Sequence, residues 1–255
     1  MIPSILHQTW KNKEIPDQWK ASYDSCQRVM ASYTRRLWTH DEMEAFVKQN
    51  YPEMYDTYMS YPHDIQRCDS FRYMVLYHFG GIYLDLDIAC KLSLDELLKY
   101  DIVMSISSNI GQYFTNAILM IKPNHPFFRY IIDHLAEYKD SYSLFGKHLH
   151  VMNSTGPIFL TKMYEKFVET NGKIENFHIM NKDEFSGDCN VCSVNKCVGG
   201  KYFTHVTGNS WHAWDSTFYN AIMCNWQKML VLFIIIAIIL YYVKTKKTGS
   251  KRIRR

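Results

Sequence analysis

Residues 229–255 contain no aspartate or glutamate, and residues 229–243, MLVLFIIIAIILYYV, carry no charge of either sign. The N-terminal MIPSILHQTW has no basic stretch followed by a long apolar core, so it does not read as a secretory signal. No internal repeat and no low-complexity tract interrupts residues 1–228, which excludes repeat and linker-like architectures. What is present is a chain of 255 residues with 47% hydrophobic and 21% charged side chains, a balance that excludes disorder.

The net charge of +4 comes from 29 Lys+Arg against 25 Asp+Glu. Seven of those bases (Lys244, Lys246, Lys247, Lys251, Arg252, Arg254, Arg255) lie in the tail, leaving 22 against 25 on residues 1–228, a charge of −3. A nucleic-acid binder needs its positive charge on the folded body, where phosphates meet it, so nucleic acid is not an expected partner. About 220 residues suffice for one α/β domain with a well-buried core.

Met229–Val243 alone spans about 22 Å as a helix, short of a ~30 Å hydrocarbon core. Extending it back to Ala221 gives about 34 Å and takes in Asn225, Gln227 and Lys228. Trp226, Tyr241 and Tyr242 at the ends, Lys228 and Lys244 able to snorkel, and the basic tail favour a single-pass C-terminal membrane anchor over a buried core helix. The expected organisation is an α/β body over 1–220, the anchor with its approach over 221–243, and a basic tail over 244–255. A short span suits an endomembrane of the endoplasmic reticulum or Golgi. Orientation stays open: a basic tail kept in the cytosol puts the body in the lumen, whereas the missing secretory signal favours a cytosolic body.

Alternation of short apolar runs with helical periodicities predicts a mostly parallel sheet covered on both faces. Strands are expected at Ile2–Leu6, Arg35–Thr39, Ile82–Ile88, Ile102–Ile106, Ala117–Ile121, Phe177–Met180 and Tyr202–Val206. Asp17 and Asp41 are expected to cap the first two helices. A long helix is expected over Asp64–Phe79, with Phe71, Met74, Val75 and Phe79 on its apolar face and Gly80-Gly81 stopping it. Helices over Pro126–Tyr138 and Pro157–Glu169 complete the body. Cys189, Cys192 and Cys197, as C-x2-C-x4-C, fit a disulfide loop or, with His205, a zinc knuckle; a surface loop is the default.

The chemistry concentrates in Arg67–Asp87, RCDSFRYMVLYHFGGIYLDLD. Asp85 and Asp87 form a D-x-D, a pattern that fifteen aspartates produce about once by chance, so position must carry the weight. Two apart in a strand, both carboxylates would emerge on one side at the strand's carboxyl end, where open α/β sheets bind ligands. Two such carboxylates call for a cation, and hard oxygen ligands suit Mg²⁺ or Mn²⁺, which in turn hold a diphosphate. Asp69 and Arg72, one turn apart, form either a surface ion pair or a phosphate- and sugar-binding pair; spacing alone does not choose.

The arrangement C-D-x-x-R-Y followed by GGIYLDLD resembles DXD-containing sugar transferases related to the yeast initiating α-1,6-mannosyltransferase and the inositol phosphorylceramide mannosyltransferases. The opening IPSILHQTWKNKEIPDQWK, then TNAILMIKPNHPFF, STGPIFLTKMY and HVTGNSWH, are similar to that family's landmarks in the same order, across about residues 2–214. More distantly the layout resembles bacterial glucosylating toxins and galactosyltransferases.

The resemblance implies a GT-A-like (Rossmann-like) α/β fold, a nucleotide-sugar donor such as GDP-mannose, Mn²⁺ or Mg²⁺, retention of anomeric configuration, and a lipid-linked or glycan acceptor. It implies that Trp10 stacks on the nucleobase beside Thr9, that Asp69 and Arg72 hold donor sugar and phosphates, and that Tyr83 and Asp85 contact ribose or sugar. Asp87 becomes the chief metal ligand, with Asp85, His205 and Ser210 or Asn209 nearby and Trp211 over the diphosphate. The catalytic set is then Asp85, Asp87 and Arg72, with Asn116 and the Thr155-Gly156-Pro157 turn on the acceptor side. A second reading is a catalytically inactive, membrane-tethered module that binds nucleotide sugar or carbohydrate; intact Trp10, Asp69, Arg72, Asp85 and Asp87 stand against it.

Overall fold

The computed structural model describes residues 1–106, 113–181, 183–185, 199–206 and 210–252, with side chains through residue 241. Cys189, Cys192, Cys197 and Asn209 lie outside the described residues, as do the side chains of the basic tail.

The described residues form eight strands: β1 (Ile5–Thr9), β2 (Thr34–Trp38), β3 (Gly81–Leu84), β4 (Ile88–Cys90), β5 (Ile102–Ile106), β6 (Phe114–Ile121), β7 (Phe177–Met180) and β8 (Phe203–His205). Six make one sheet in the order β2-β1-β3-β6-β5-β7, and β4 with β8 make a small second one. The sheet is mixed rather than mostly parallel. β1 pairs parallel with β2 and β3, and β5 with β7, but β6 runs antiparallel between β3 and β5. Only seven residues separate β5 from β6, fewer than the helical crossover of a parallel pair needs, in keeping with their antiparallel pairing.

The helices are α1 (Asp17–Val29), α2 (His40–Asn50), α3 (Pro52–Ser60), α4 (Asp64–Phe79), α5 (Pro126–Tyr138), α6 (Lys147–Ser154), α7 (Pro157–Asn171) and α8 (Trp214–Arg252). The cap of α2 is Thr39, not Asp41: its hydroxyl accepts from Glu42 N–H, and Glu42 returns the bond to Thr39 N–H. Asp17 is the first residue of α1 rather than its cap, and pairs with Lys20 one turn on. β1 begins later than the expected Ile2–Leu6, because Pro3 has no N–H for a ladder and Ile2 N–H is drawn to Leu98 O at 2.8 Å.

α4 is the axis of the fold. Phe71, Met74 and Val75 are fully buried, as the apolar face requires, with Phe79 packed at its edge. The opposite face is buried as well, taking Gln66, Asp69, Ser70 and Arg72 into the interior. Gly80 stops the helix at φ 66°, and a Cβ there would lie 2.6 Å from Pro123 Cδ. Gly81 follows at φ 101°, where a Cβ would meet Ile5 O at 2.5 Å, so only glycine lets β3 dock on β1. One apolar cluster lies between the sheet and α2–α5 and α7, the other beneath α1 and β4.

α8 is one continuous helix whose stretch Trp214–Tyr241 is long and apolar enough to cross a membrane; its most apolar window is not covered by the body, whereas Asp215 and Ser216 at its start are buried. Those 28 residues measure about 42 Å as a helix, more than the charge-free run alone. The helix itself begins at Trp214, seven residues before Ala221.

Candidate active site

The expected single strand Ile82–Ile88 is broken. β3 ends at Leu84, and a turn closed by Ile88 N–H to Asp85 O at 3.1 Å leads into β4. Asp85 and Asp87 therefore project from a turn at the carboxyl end of β3. The competing interaction is the small sheet: Val206 N–H donates to Asp87 O at 2.7 Å, and Ile88 registers with His205. That pairing pulls the chain away from the main sheet immediately after Leu84.

Arg72 occupies the floor. Its guanidinium lies 2.8 Å from Asp69, 3.3 Å from Asp85 Oδ1 and 2.5 Å from Asn116 O, with its face 4.4 Å from the Tyr83 ring centroid. Asp69 is 2% and Arg72 1% exposed, so the surface ion-pair alternative does not hold. Asp69 receives two further donors, Asn116 Nδ2 at 3.0 Å and Thr155 Oγ1 at 3.1 Å. Burial pushes the Asp69 carboxyl up to about 7 against the pull of Arg72. Burial likewise raises Asp85, Arg72 opposing it and Asp87 adding to it. Burial opposes the Arg72 charge too, but Asp85, Tyr83 and Asp69 outweigh it and hold the guanidinium firmly protonated.

Above this floor runs a relay of hydroxyls. Thr9 Oγ1 and Tyr83 OH are 2.7 Å apart, and Tyr83 OH donates to Asp85 Oδ1 at 3.1 Å. Parallel pairing of β1 with β3 brings Thr9 and Tyr83 to the same end of the sheet. Trp10 follows at once, its N–H donating to Trp38 O and its ring edge-on to Trp19 with centroids 5.0 Å apart. The indole N–H groups of both tryptophans are buried without a hydrogen-bond partner.

At the mouth, Asp87 Oδ2 lies 3.3 Å from His205 Nε2. Burial disfavours the imidazolium, yet the hydrogen bond and charge of Asp87 prevail and raise the His205 pKa. Asp87 Oδ1 is buried and has no hydrogen-bond partner. An orphaned carboxylate oxygen beside a second carboxylate and an imidazole fits a hard divalent cation. Among the described residues no three His, Cys, Asp or Glu side chains converge on one point. Asp85, Asp87 and His205 therefore do not by themselves close a ligand shell.

A cleft of about 540 Å³ joins these parts, lined among others by Thr9, Trp10, Arg72, Asp85, Asp87, Ser210 and Trp211. The fold thus brings Thr9, Trp10, Asp69, Arg72, Tyr83, Asp85, Asp87, His205, Ser210 and Trp211 to one end of the sheet. Asn116 and Thr155 are placed differently from the acceptor-side expectation: both are buried beneath Asp69, which they fix. The sequon Asn153-Ser154-Thr155 is likewise structural. Asn153 donates to Leu149 O, Ser154 accepts from Gln66, and Thr155 holds Asp69. Sequence reasoning also missed the rim residues His63, Asp64 and Lys147 and the disulfide Cys26–Cys90, which ties α1 to β4 across 64 positions. No local pattern marks pairs so far apart.

Residues 16–104 match the family model of the glycosyltransferase sugar-binding region containing the DXD motif. The chain is 34% identical to mannosyl phosphorylinositol ceramide synthase CSH1 of Saccharomyces cerevisiae, over 86% of this chain and 55% of that protein. It is also 34% identical to inositol phosphoceramide mannosyltransferase 2 of Schizosaccharomyces pombe, over 98% of this chain and 69% of that one. Among solved structures, the PaToxG glycosyltransferase aligns with TM-score 0.44 at 17% identity, covering 67% of this chain and 70% of that one. The chain spans just over half the length of the first of these relatives. It belongs to the family of DXD-containing glycosyltransferases.

Proposed function

We propose that the chain is a membrane-held, divalent-metal-dependent hexosyltransferase that moves mannose from GDP-mannose to a lipid-linked or glycan acceptor with retention of configuration. The observation that carries this reading is the charge balance at the cleft. Asp69 and Asp85 pair with the buried Arg72 guanidinium and Asp87 with His205, so three carboxylates line the site, and an anionic diphosphate enters it only with a cation. Asp87 and Asp85, with His205 and Ser210 beside them, would hold Mn²⁺ or Mg²⁺, which supplies Lewis-acid neutralisation of the leaving diphosphate.

The chain's own residues supply the rest. Arg72, fixed on three sides, presents a preorganised positive charge to the phosphates at no cost in reorganisation. Asp69, held by Asn116 and Thr155, orients donor-sugar hydroxyls. Tyr83, bonded to Thr9 and Asp85, sets the carboxylate beside the ribose or sugar. Trp10 offers a face for the nucleobase and an unpaired N–H for the donor, and Trp211 closes the diphosphate from above. Mannose as the sugar, and a phosphoinositol sphingolipid as one candidate acceptor, follow from the names of the relatives.

The lumenal side of an endomembrane is proposed for the body. The Cys26–Cys90 disulfide favours an oxidising compartment, and a cytosolic basic tail agrees with it. The test is a thermal-shift panel of nucleotide sugars on the purified full chain. GDP-mannose with Mn²⁺ should raise the melting temperature and GDP-mannose without metal should not. Equal shifts with and without Mn²⁺ would contradict the metal site, and a shift by another donor alone would contradict the donor. Binding without any transfer would favour the inactive module.

A further inference from the structure

The connection between α5 and α6 ends in an apolar tip, Tyr142-Ser143-Leu144-Phe145. Tyr142 adopts φ 59° and Gly146 φ 93°, and a single 3-10 turn over Ser143–Phe145 lies between them. The tight reversal turns the side chains outward: Leu144 is 95% exposed, Phe145 60% and Tyr142 54%. An isolated exposed leucine needs no explanation, but three large apolar side chains in four residues do.

The tip is tied to the start of α8. Tyr219 OH donates to Phe145 O at 3.0 Å. Gly146 packs against Asp215, where a Cβ would lie 2.9 Å from Oδ2, and that same oxygen accepts His148 N–H at 2.7 Å. Ser216 Oγ meets His148 Nδ1 at 3.0 Å. The first turns of α8 add Trp214 and Phe218, 81% and 55% exposed. Aromatics gather where a span enters a membrane, and Lys139 and Lys147 bracket the tip in sequence.

We infer that Tyr142–Phe145 inserts into the interfacial zone of the bilayer that α8 crosses, as a second attachment for the body. It rests on α8 lying in that bilayer. One helix alone leaves the body free to swing, whereas a helix and a rigidly linked tip fix its tilt. Lys147, two residues past the tip, lines the cleft, so this attachment holds the cleft mouth close to the membrane surface, within reach of an acceptor whose head group stands in the lipid plane.

The test uses the full chain in vesicles of phosphatidylcholine and phosphatidylserine. A photoreactive benzophenone amino acid is introduced in place of Leu144 or, as control, of Lys173 in the turn after α7. Carbonate extraction reports α8 independently. The expected result is carbonate-resistant protein whose lipid crosslinks at 144 exceed those at 173 by at least about ten-fold, the equivalent of burying part of one leucine side chain. Phe145→Asp should keep carbonate resistance and melting temperature and lose most crosslinking at 144. Resistant protein with no excess at 144, or crosslinking unmoved by Phe145→Asp, would overturn the tip. Release by carbonate would overturn the anchor and the tip together.

Discussion

The guanidinium carbon of Arg72 lies over the ring of Tyr83, 4.4 Å from its centroid, while its nitrogens reach Asp69 and Asp85. A planar, permanently charged fork satisfies both carboxylates and the ring at once, and a lysine ammonium cannot. Arg72→Lys is expected to lower kcat by about 10²-fold, the scale of losing one preorganised charge at a transition state. Arg72→Ala should in addition cost about 3–5 kcal/mol of stability by leaving buried carboxylates unpaired. Steady-state kinetics and urea unfolding of the two variants check this, and an active Arg72→Lys enzyme would contradict it.

Thr155 acts through Asp69. Thr155→Val keeps the shape and removes the donor at 3.1 Å, so kcat should fall by about 5- to 100-fold, corresponding to 1–3 kcal/mol. Thr155→Ser should restore most of it. Failure of serine to rescue would mean that the methyl group, rather than the hydroxyl, matters.

His7 is a buried neutral imidazole whose tautomer is fixed. Trp38 Nε1–H donates to Nδ1 at 3.2 Å, and Nε2–H donates to Gly80 O at 3.1 Å. Burial lowers its pKa to about 4. As pH falls through 6.5 the unfolded chain protonates first, so this stability is present above 6.5 and is lost progressively down to about 4. The full effect is about 3 kcal/mol at this site. His125 and His212, also pushed down to about 4 mainly by burial, act in the same direction. Urea unfolding between pH 7 and 4.5 should show the decline, with a shallower slope in His7→Asn.

The Cys26–Cys90 bond makes membrane orientation measurable. In protein isolated from cell membranes without reductant and then denatured, both buried cysteines should resist alkylation until reduction, as expected of a body in an oxidising lumen. Cys26→Ser should lower stability by about 2–4 kcal/mol. Ready alkylation of both in freshly isolated membranes would put the body on the reducing side.

Much of this was legible in the sequence where the signal is local. α4 shows its apolar period and its glycine stop, and the D-x-D, Asp69 and Arg72 stand within 19 residues of one another. The mixed sheet and the turn at Asp85–Ile88 were not legible. Strand direction depends on which neighbour β6 meets, and the break after Leu84 depends on β8, far along the chain. Burial of the Asp69–Arg72 pair was undecidable locally because Asn116 and Thr155, the donors that make it tolerable, are 47 and 86 positions from Asp69.

The most direct measurement is transfer of radiolabelled mannose from GDP-mannose to extractable membrane acceptors by the purified full chain, with Mn²⁺, with chelator, and as Asp87→Ala. Expected is Mn²⁺-dependent transfer, abolished by chelator and reduced at least about 10³-fold in Asp87→Ala, on the scale of losing a charge-stabilising group. Undiminished transfer by Asp87→Ala, or in the presence of chelator, would contradict the metal-assisted site.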